Sequence, residues 1–187
     1  VISEKEWDSL KIDEKPKFKG KLFVGIKFGN DGANVSMSVA VRTKDDRIFV
    51  EVIDCQSVRN GFGWLIDFLK KADIKKIVVD GASGQKVLEE ELKHNKIKKV
   101  VLPTVKEIVV ANSTFEQGIY QKTLCHNNQP SLRKVATNCE KRNIGSNGGF
   151  GYKSQFEDMD ISLLDSALLA HWACSIAKPK KKTRVRY

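Results

Sequence analysis

An α/β domain with one mixed five-stranded sheet and helices on both faces is the architecture this chain encodes, and three features point to it. The first third carries strand-period segments joined by turn residues. Near Gly63 the apolar spacing changes to a helical period. A β-branched run, Ile74–Val79, then ends on Asp80 and leads into small residues and another helix. A strand–helix–strand order of this kind implies a parallel crossover beside the first strand.

The elements follow in order. Residues 1–20 are polar and Lys-rich, with Trp7 and Leu10 as anchors and Pro16 and Gly20 as breakers, and are expected to form a linker. Leu22–Phe28 is a first strand and Gly29-Asn30-Asp31-Gly32 a hairpin turn. Val35, Met37, Val39 and Val41 alternate with small residues in a second strand. A turn at Lys44-Asp45-Asp46 leads to a third strand, Arg47–Ile53, which completes an antiparallel meander. Trp64, Leu65, Phe68 and Leu69 place a helix over Gly63–Ala72, and Gln85–His94 is a second helix with Val87, Leu88 and Leu92 inward. Lys99–Pro103 is a fifth strand. A long helix from Lys106 to about Leu124 carries Ile108, Val109, Phe115, Ile119 and Tyr120 on its apolar face. Pro130 opens a short helix through Cys139, since proline suits a first helical turn. Asn143–Tyr152 is a Gly/Asn-rich loop or hairpin. The last helix, Leu163–Ala177, has a buried stripe of Leu164, Ala167, Leu168 and His171, with Ser162 as its cap.

Composition narrows the function classes. A chain of 187 residues is long enough to bury a core as one domain. Its formal net charge of +10 favours polyanionic partners, nucleic acid first and an anionic surface second. Six Lys or Arg in the ten residues 178–187 make a basic tail. The dispersed cysteines (Cys55, Cys125, Cys139, Cys174) and histidines (His94, His126, His171) argue for reduced thiols and against a zinc site. No apolar run approaches the ~18 residues of a membrane span. There is no G-x-x-x-x-G-K-[ST], hence no P-loop chemistry, and no G-x-G-x-x-G after the first strand.

Asp80 is the leading candidate for chemistry. It stands at the carboxyl end of a buried strand, where open α/β sheets place their ligands. Gly81, Ser83 and Gly84 leave room there for a phosphate backbone or a metal ion. The alternative is that Asp80 only caps the following helix. Lys141, Arg142 and Lys153 flank the glycine-rich segment, which either hugs a sugar–phosphate backbone or is a solvated loop.

The ordered set of segments resembles a ribonuclease H-like nuclease and, more narrowly, the C-terminal nuclease domain of the large terminase subunit of tailed phages and prophages. The residues that carry the likeness are Val24–Phe28 with Asn30-Asp31-Gly32, Gly63-Trp64-Leu65, and Val78-Val79-Asp80-Gly81. To these are added Leu102-Pro103-Thr104, Ala111-Asn112 with Phe115, His126–Pro130, Gly148–Gly151, and Asp160–Leu164 leading into Ala167–Trp172. The resemblance implies a metal-dependent endonuclease that cuts concatemeric viral double-stranded DNA during genome packaging. It implies a small terminase subunit and a portal protein as partners, no membrane, and the cytoplasm of an infected or lysogenic bacterium. An ATPase domain would precede Val1, so that residues 1–20 link to it and 21–177 form the nuclease domain. Two Mg²⁺ or Mn²⁺ ions about 4 Å apart would be held by carboxylates, Asp80 and Asp160.

One departure is plain. Where most relatives have Asp in the first strand, this chain has Lys27. Asp31 is the nearest acidic residue, but four strand residues span ~13 Å, so it reaches the same metal only if the hairpin curls back. Lys27 either holds the scissile phosphate as a point charge or faces solvent. Asp165 competes with Asp160. The two would lie about 140° apart on one helix, so both could not face one metal. Asp160 is favoured, with Asp165 easing the helix dipole and Asp158 a third candidate. His126 and His171 are structural. The alternatives to an endonuclease are a DNA-binding or motor-docking module that has lost catalysis, and another ribonuclease H-like enzyme such as a resolvase.

Overall fold

Three long antiparallel strands form the middle of the sheet: β1 (Phe18–Phe28), β2 (Asn34–Thr43) and β3 (Ile48–Ser57). The structure is a computed structural model and describes residues 1–177; the basic tail lies outside these. Parallel to β1 runs β4 (Ile74–Asp80), and beyond it β5 (Val100–Val101). Among the described residues the order is β5-β4-β1-β2-β3-β6, six strands rather than five. The added strand, β6 (Leu124–His126), pairs parallel with β3. Three residues carry no readable period, so β6 has no signature in the sequence.

Helices cover both faces, as expected. On one side lie α2 (Gly63–Lys71) and α3 (Gln85–His94), which bury Leu65, Leu69, Leu88 and Leu92 against Val24, Ile26 and Phe28 of β1. On the other side lie α4 (Val105–Tyr120), α5 (Pro130–Ala136) and α6 (Ser162–Ile176). Tyr120 is exposed rather than part of the apolar face of α4, because the helix ends there. The glycine-rich segment is a hairpin, β7 (Cys139–Ile144) and β8 (Gly149–Ser154), with Gly145 and Gly148 at positive φ in its tip.

Residues 1–20 are not a linker over their whole length. Ser3 and Glu6 form a capping box that starts α1 (Glu4–Asp8), and Ile2, Trp7 and Leu10 are buried in the main core. Trp7 stacks on His126 at 4.2 Å between ring centroids, and His126 Nε2 bonds the Trp7 carbonyl oxygen at 2.8 Å. Arg133 adds a bidentate pair to Asp8 at 2.9 and 3.1 Å. The segment joins the domain because Ile2, Trp7 and Leu10 all enter the main core.

α6 is buried on nearly every side. Its backbone sits directly on β1 at Gly25, where a Cβ would overlap the Ser166 carbonyl oxygen and stand 2.6 Å from the Ala170 nitrogen. Two serine pairs tie it to β2: Ser36 with Ser162 at 2.7 Å, and Ser38 with Ser166 at 2.6 Å. Ser162 is therefore a buried link to the sheet and not the helix cap. Asp160 stands one residue before the cap position, Ile161, and its Oδ1 accepts the Ser162 N–H at 2.9 Å.

Two outcomes follow. Gly25→Ala should destabilise the domain by about 3 kcal/mol, the upper end for overpacking, whereas Gly63→Ala, in open space, should be neutral; urea melts of the two compare them. Burial holds the His171 imidazole down to about 4, so folding disfavours its protonation. His171 makes the unfolded chain the better proton binder between pH 6.5 and 4 and so costs stability as pH drops through that window, while the buried Asp165 carboxyl, raised to about 6, works the other way. The His171 share, read as the difference between the unaltered chain and His171→Phe, should be roughly 2 kcal/mol between pH 7 and 5.

Candidate active site

Strand alternation sends Phe23, Gly25 and Lys27 toward α6 and Val24, Ile26 and Phe28 to the opposite face. Parallel pairing sets Lys27 directly beside Asp80, so two charged side chains leave the carboxyl ends of β1 and β4 at one level. Lys27 Nζ donates to Asp80 Oδ2 at 2.6 Å, with only 14% and 13% of the side chains exposed. Lys27 thus neither faces solvent nor stands free for a phosphate. Asp80 does not cap α3, which begins after Gly84 without a side-chain cap.

The third charged group comes from α6. Because the helix backbone is pressed onto β1, Asp165 is carried over the strand ends, and it lines one cavity together with Lys27, Asp80, Arg142 and Asn112. Burial pushes the Asp165 carboxyl up to about 6, opposed by the charges of Lys27 and Arg142 and reinforced by those of Asp80 and Asp160. Arg142 enters from β7, and Ile108 and Asn112 from α4 close the far wall.

Asp160 lies outside this cavity. Its Oδ2 accepts from Asn34 Nδ2 at 3.1 Å, and it lines a neighbouring concavity with Asp31 and Asp158. Asp31 is exposed, its Oδ1 accepting the Ala33 N–H at 2.9 Å, and it lines the concavity of Asp160 rather than the cavity of Asp80. Gly81 and Gly84 are not a phosphate cradle. A Cβ at Gly81 would stand 2.7 Å from Phe28 Cβ, and one at Gly84 would overlap the Phe28 ring, so the space they leave is filled by Phe28. Lys141 pairs with Glu116 at 2.6 Å and covers the Phe150 ring, and Lys153 pairs with Glu140 at 3.1 Å. Of the hairpin cations, Arg142 is the one that lines the cavity. Asn112 carried no role in the sequence beyond a motif match. Its signal was there: a polar residue between Ile108 and Phe115 on the buried stripe of α4.

No protein-family model matches the chain, and no curated protein matches it in sequence. Solved structures do. The large terminase of bacteriophage HK97 superposes with a TM-score of 0.70 at 13% identity, over 92% of this chain and 43% of that one. The fold is that of the large terminase nucleases. The nuclease from the thermophilic phage G20c gives 0.63 at 14% identity, over 91% of this chain and 97% of that one. The large terminase nuclease domain of bacteriophage SPP1, solved with bound Mn, gives 0.54 at 16%, over 91% and 97%. This chain thus spans less than half of the HK97 terminase but nearly the whole of the separate nuclease domains.

The residues within this terminase fold suit a hard divalent cation. Such ions take oxygen ligands, and the cavity offers the Asp80 and Asp165 carboxylates with the Asn112 Oδ1. Asn112 is 3% exposed, its Nδ2 donates to the Ile108 carbonyl at 2.8 Å, and its Oδ1 has no hydrogen-bond partner among the described residues. A buried acceptor left unpaired is one that a cation or water would satisfy.

The Lys27–Asp80 bridge makes its own prediction. Removing one partner of a buried pair leaves an uncompensated charge, so Lys27→Met should cost about 3 kcal/mol in urea denaturation. Combined with Asp80→Asn, the coupling should be about 1–3 kcal/mol; strictly additive effects would refute the contact.

Proposed function

We propose that this chain is the nuclease domain of a phage terminase large subunit and that it cuts double-stranded DNA by divalent-metal-assisted phosphodiester hydrolysis. The observation that carries this reading is the convergence of Asp80 and Asp165, 85 positions apart, on one cavity of a terminase-nuclease fold. G20c and SPP1 terminase nucleases solved with bound magnesium and manganese support Mg²⁺ or Mn²⁺ as the cofactor.

Asp80 and Asp165 would hold the ion, with Asn112 Oδ1 as a neutral donor. When bound, it would acidify a water and steady the charge developing on the phosphate. The chain's own groups do the rest. Lys27 fixes the rotamer of Asp80 and neutralises it. Arg142 presents a planar fork suited to phosphate oxygens from a hairpin at the cavity mouth. Lys141 and Lys153 add positive potential on the same hairpin, and the net charge of +10 draws a polyanion toward it. Asp160 orders the first turn of α6 and, through it, Asp165. On this reading the natural setting is genome packaging: a motor ATPase domain in the same polypeptide, a small subunit and a portal as partners, and the cytoplasm of a bacterial host.

A second reading is favoured by the Lys27–Asp80 bridge itself: a DNA-binding or docking module that has lost catalysis. One assay separates the two. With supercoiled plasmid and Mn²⁺, the domain should produce nicked and linear DNA. Asp80→Asn and Asp165→Asn should each lower the rate by at least about 100-fold, since losing even an outer-shell partner of a metal ligand costs about 10–100-fold. Asp160→Asn should retain activity within about tenfold. A domain that retains DNA yet nicks nothing with any divalent ion would leave the binding module, and loss confined to Asp160→Asn would move the ligand to that residue.

A further inference from the structure

We infer that Lys27 stands where a second metal ion would otherwise sit, so that the cavity is a single-cation site built from Asp80, Asp165 and Asn112. The inference rests on the nuclease reading above and specifies how its metal centre is made.

Geometry comes first. A two-metal centre holds its ions roughly 3.5–4 Å apart across a shared carboxylate. Here the Asp80 Oδ2 is already taken by an ammonium at 2.6 Å, anchored on the neighbouring strand in register. A divalent ion sits about 2.0–2.2 Å from a ligand oxygen. One placed on Oδ2 would therefore share that oxygen with the Lys27 ammonium, cation beside cation. Asp80 Oδ1 carries no such partner among the described residues.

Charge points the same way. Asp80, Asp165, Lys27 and Arg142, the formally charged residues among the described residues lining the cavity, sum to zero. One divalent ion and a phosphodiester leave a small positive excess, whereas two ions would leave a large one. Ligand supply agrees. Among the described residues no group of three or more His, Cys, Asp or Glu is arranged to hold a metal. Two carboxylates and the unpartnered Asn112 Oδ1 suffice for one ion that keeps several waters, as Mg²⁺ does.

Calorimetric titration of Mn²⁺ alone into the full 187-residue chain, with electron paramagnetic resonance of the bound ion, tests this. One Mn²⁺ per chain and a mononuclear spectrum are expected. Lys27→Asp should bind two and show an exchange-coupled pair. Lys27→Gln removes the charge but keeps the shape, and should tighten the single site by about tenfold. Asn112→Leu should weaken it by about tenfold while leaving the count at one. Two ions on the unaltered chain, none, or a folded Lys27→Asp that still takes only one would each overturn the inference. If Lys27→Asp does not fold by circular dichroism, the unaltered chain and Lys27→Gln decide, and an affinity no tighter in Lys27→Gln overturns it. Plasmid nicking beside the titration keeps the two ideas apart. Cleavage with two ions bound would leave the nuclease reading intact and remove the single-ion site. One bound ion without cleavage would do the reverse.

Discussion

The seating of α6 on the sheet is what the site depends on. A helix is normally held off a sheet by the side chains between them; here β1 offers Gly25 and β2 offers Ser36, Ser38 and Ala40 beneath Ser162, Ser166, Ala167 and Ala170. With so little between them, backbone meets backbone at Gly25, and the serine pairs peg the register along β2. Such hydroxyl pairs are costly to bury unless satisfied, and each satisfies the other. The outcome is positional: a helix that cannot slide or rotate by a residue presents Asp165 to the ends of β1 and β4. Stability and function are therefore not separable at Gly25, although it lies two residues from the nearest charged group of the cavity.

A cation among carboxylates changes what the cavity is. A site with an acidic residue at this first-strand position would assemble negative charge that a metal relieves. Lys27 supplies that relief from within the fold, over a distance short enough for a charge-assisted hydrogen bond. The cost is desolvation of both partners, the benefit a fixed Asp80 rotamer. Asp165 has no ion pair among the described residues, and burial raises its carboxyl to about 6 against the pull of Lys27 and Arg142. An electropositive visitor would be stabilised most beside this carboxyl, which is also where Asn112 offers its unpaired oxygen.

Much of the fold was legible because it rests on local periods. Gln85–His94 and Ile74–Asp80 fall where the apolar spacing and the β-branched run put them. β6 was not legible, since Leu124–His126 gains its strand character only from the open edge of β3. The N-terminal segment read as linker because Ile2, Trp7 and Leu10 are sparse, yet each finds a place in the core and Trp7 meets His126 from far along the chain. The place of Asp80 at the end of β4 was legible from the β-branched run before it. The choice between Asp160 and Asp165 turned on where the last helix begins, and Ser162 was misread as a cap. Its hydroxyl goes to Ser36, a partner 126 residues away that no local rule could supply. Gly81 and Gly84 misled for a related reason. Glycines after a strand signal close approach, but what approaches is the Phe28 ring.

The basic composition and the site's charge are distinct facts. The chain carries +10 overall, yet the lining of the cavity is balanced among the described residues, and Lys141 and Lys153 are each matched to a glutamate. Surface pairs of this kind contribute little to stability and exchange partners readily. A phosphate backbone arriving at the hairpin would compete for both lysines while Arg142, rooted beside Asp165, stays at the cavity mouth. Association would then draw on the long-range field of the whole chain and fall with added salt. Positioning of the scissile bond would instead depend on a few short, buried contacts that salt screens far less. On the proposed function, a domain organised this way would separate how strongly it holds DNA from how accurately it places one phosphate. The rigid seat of α6 governs only the second.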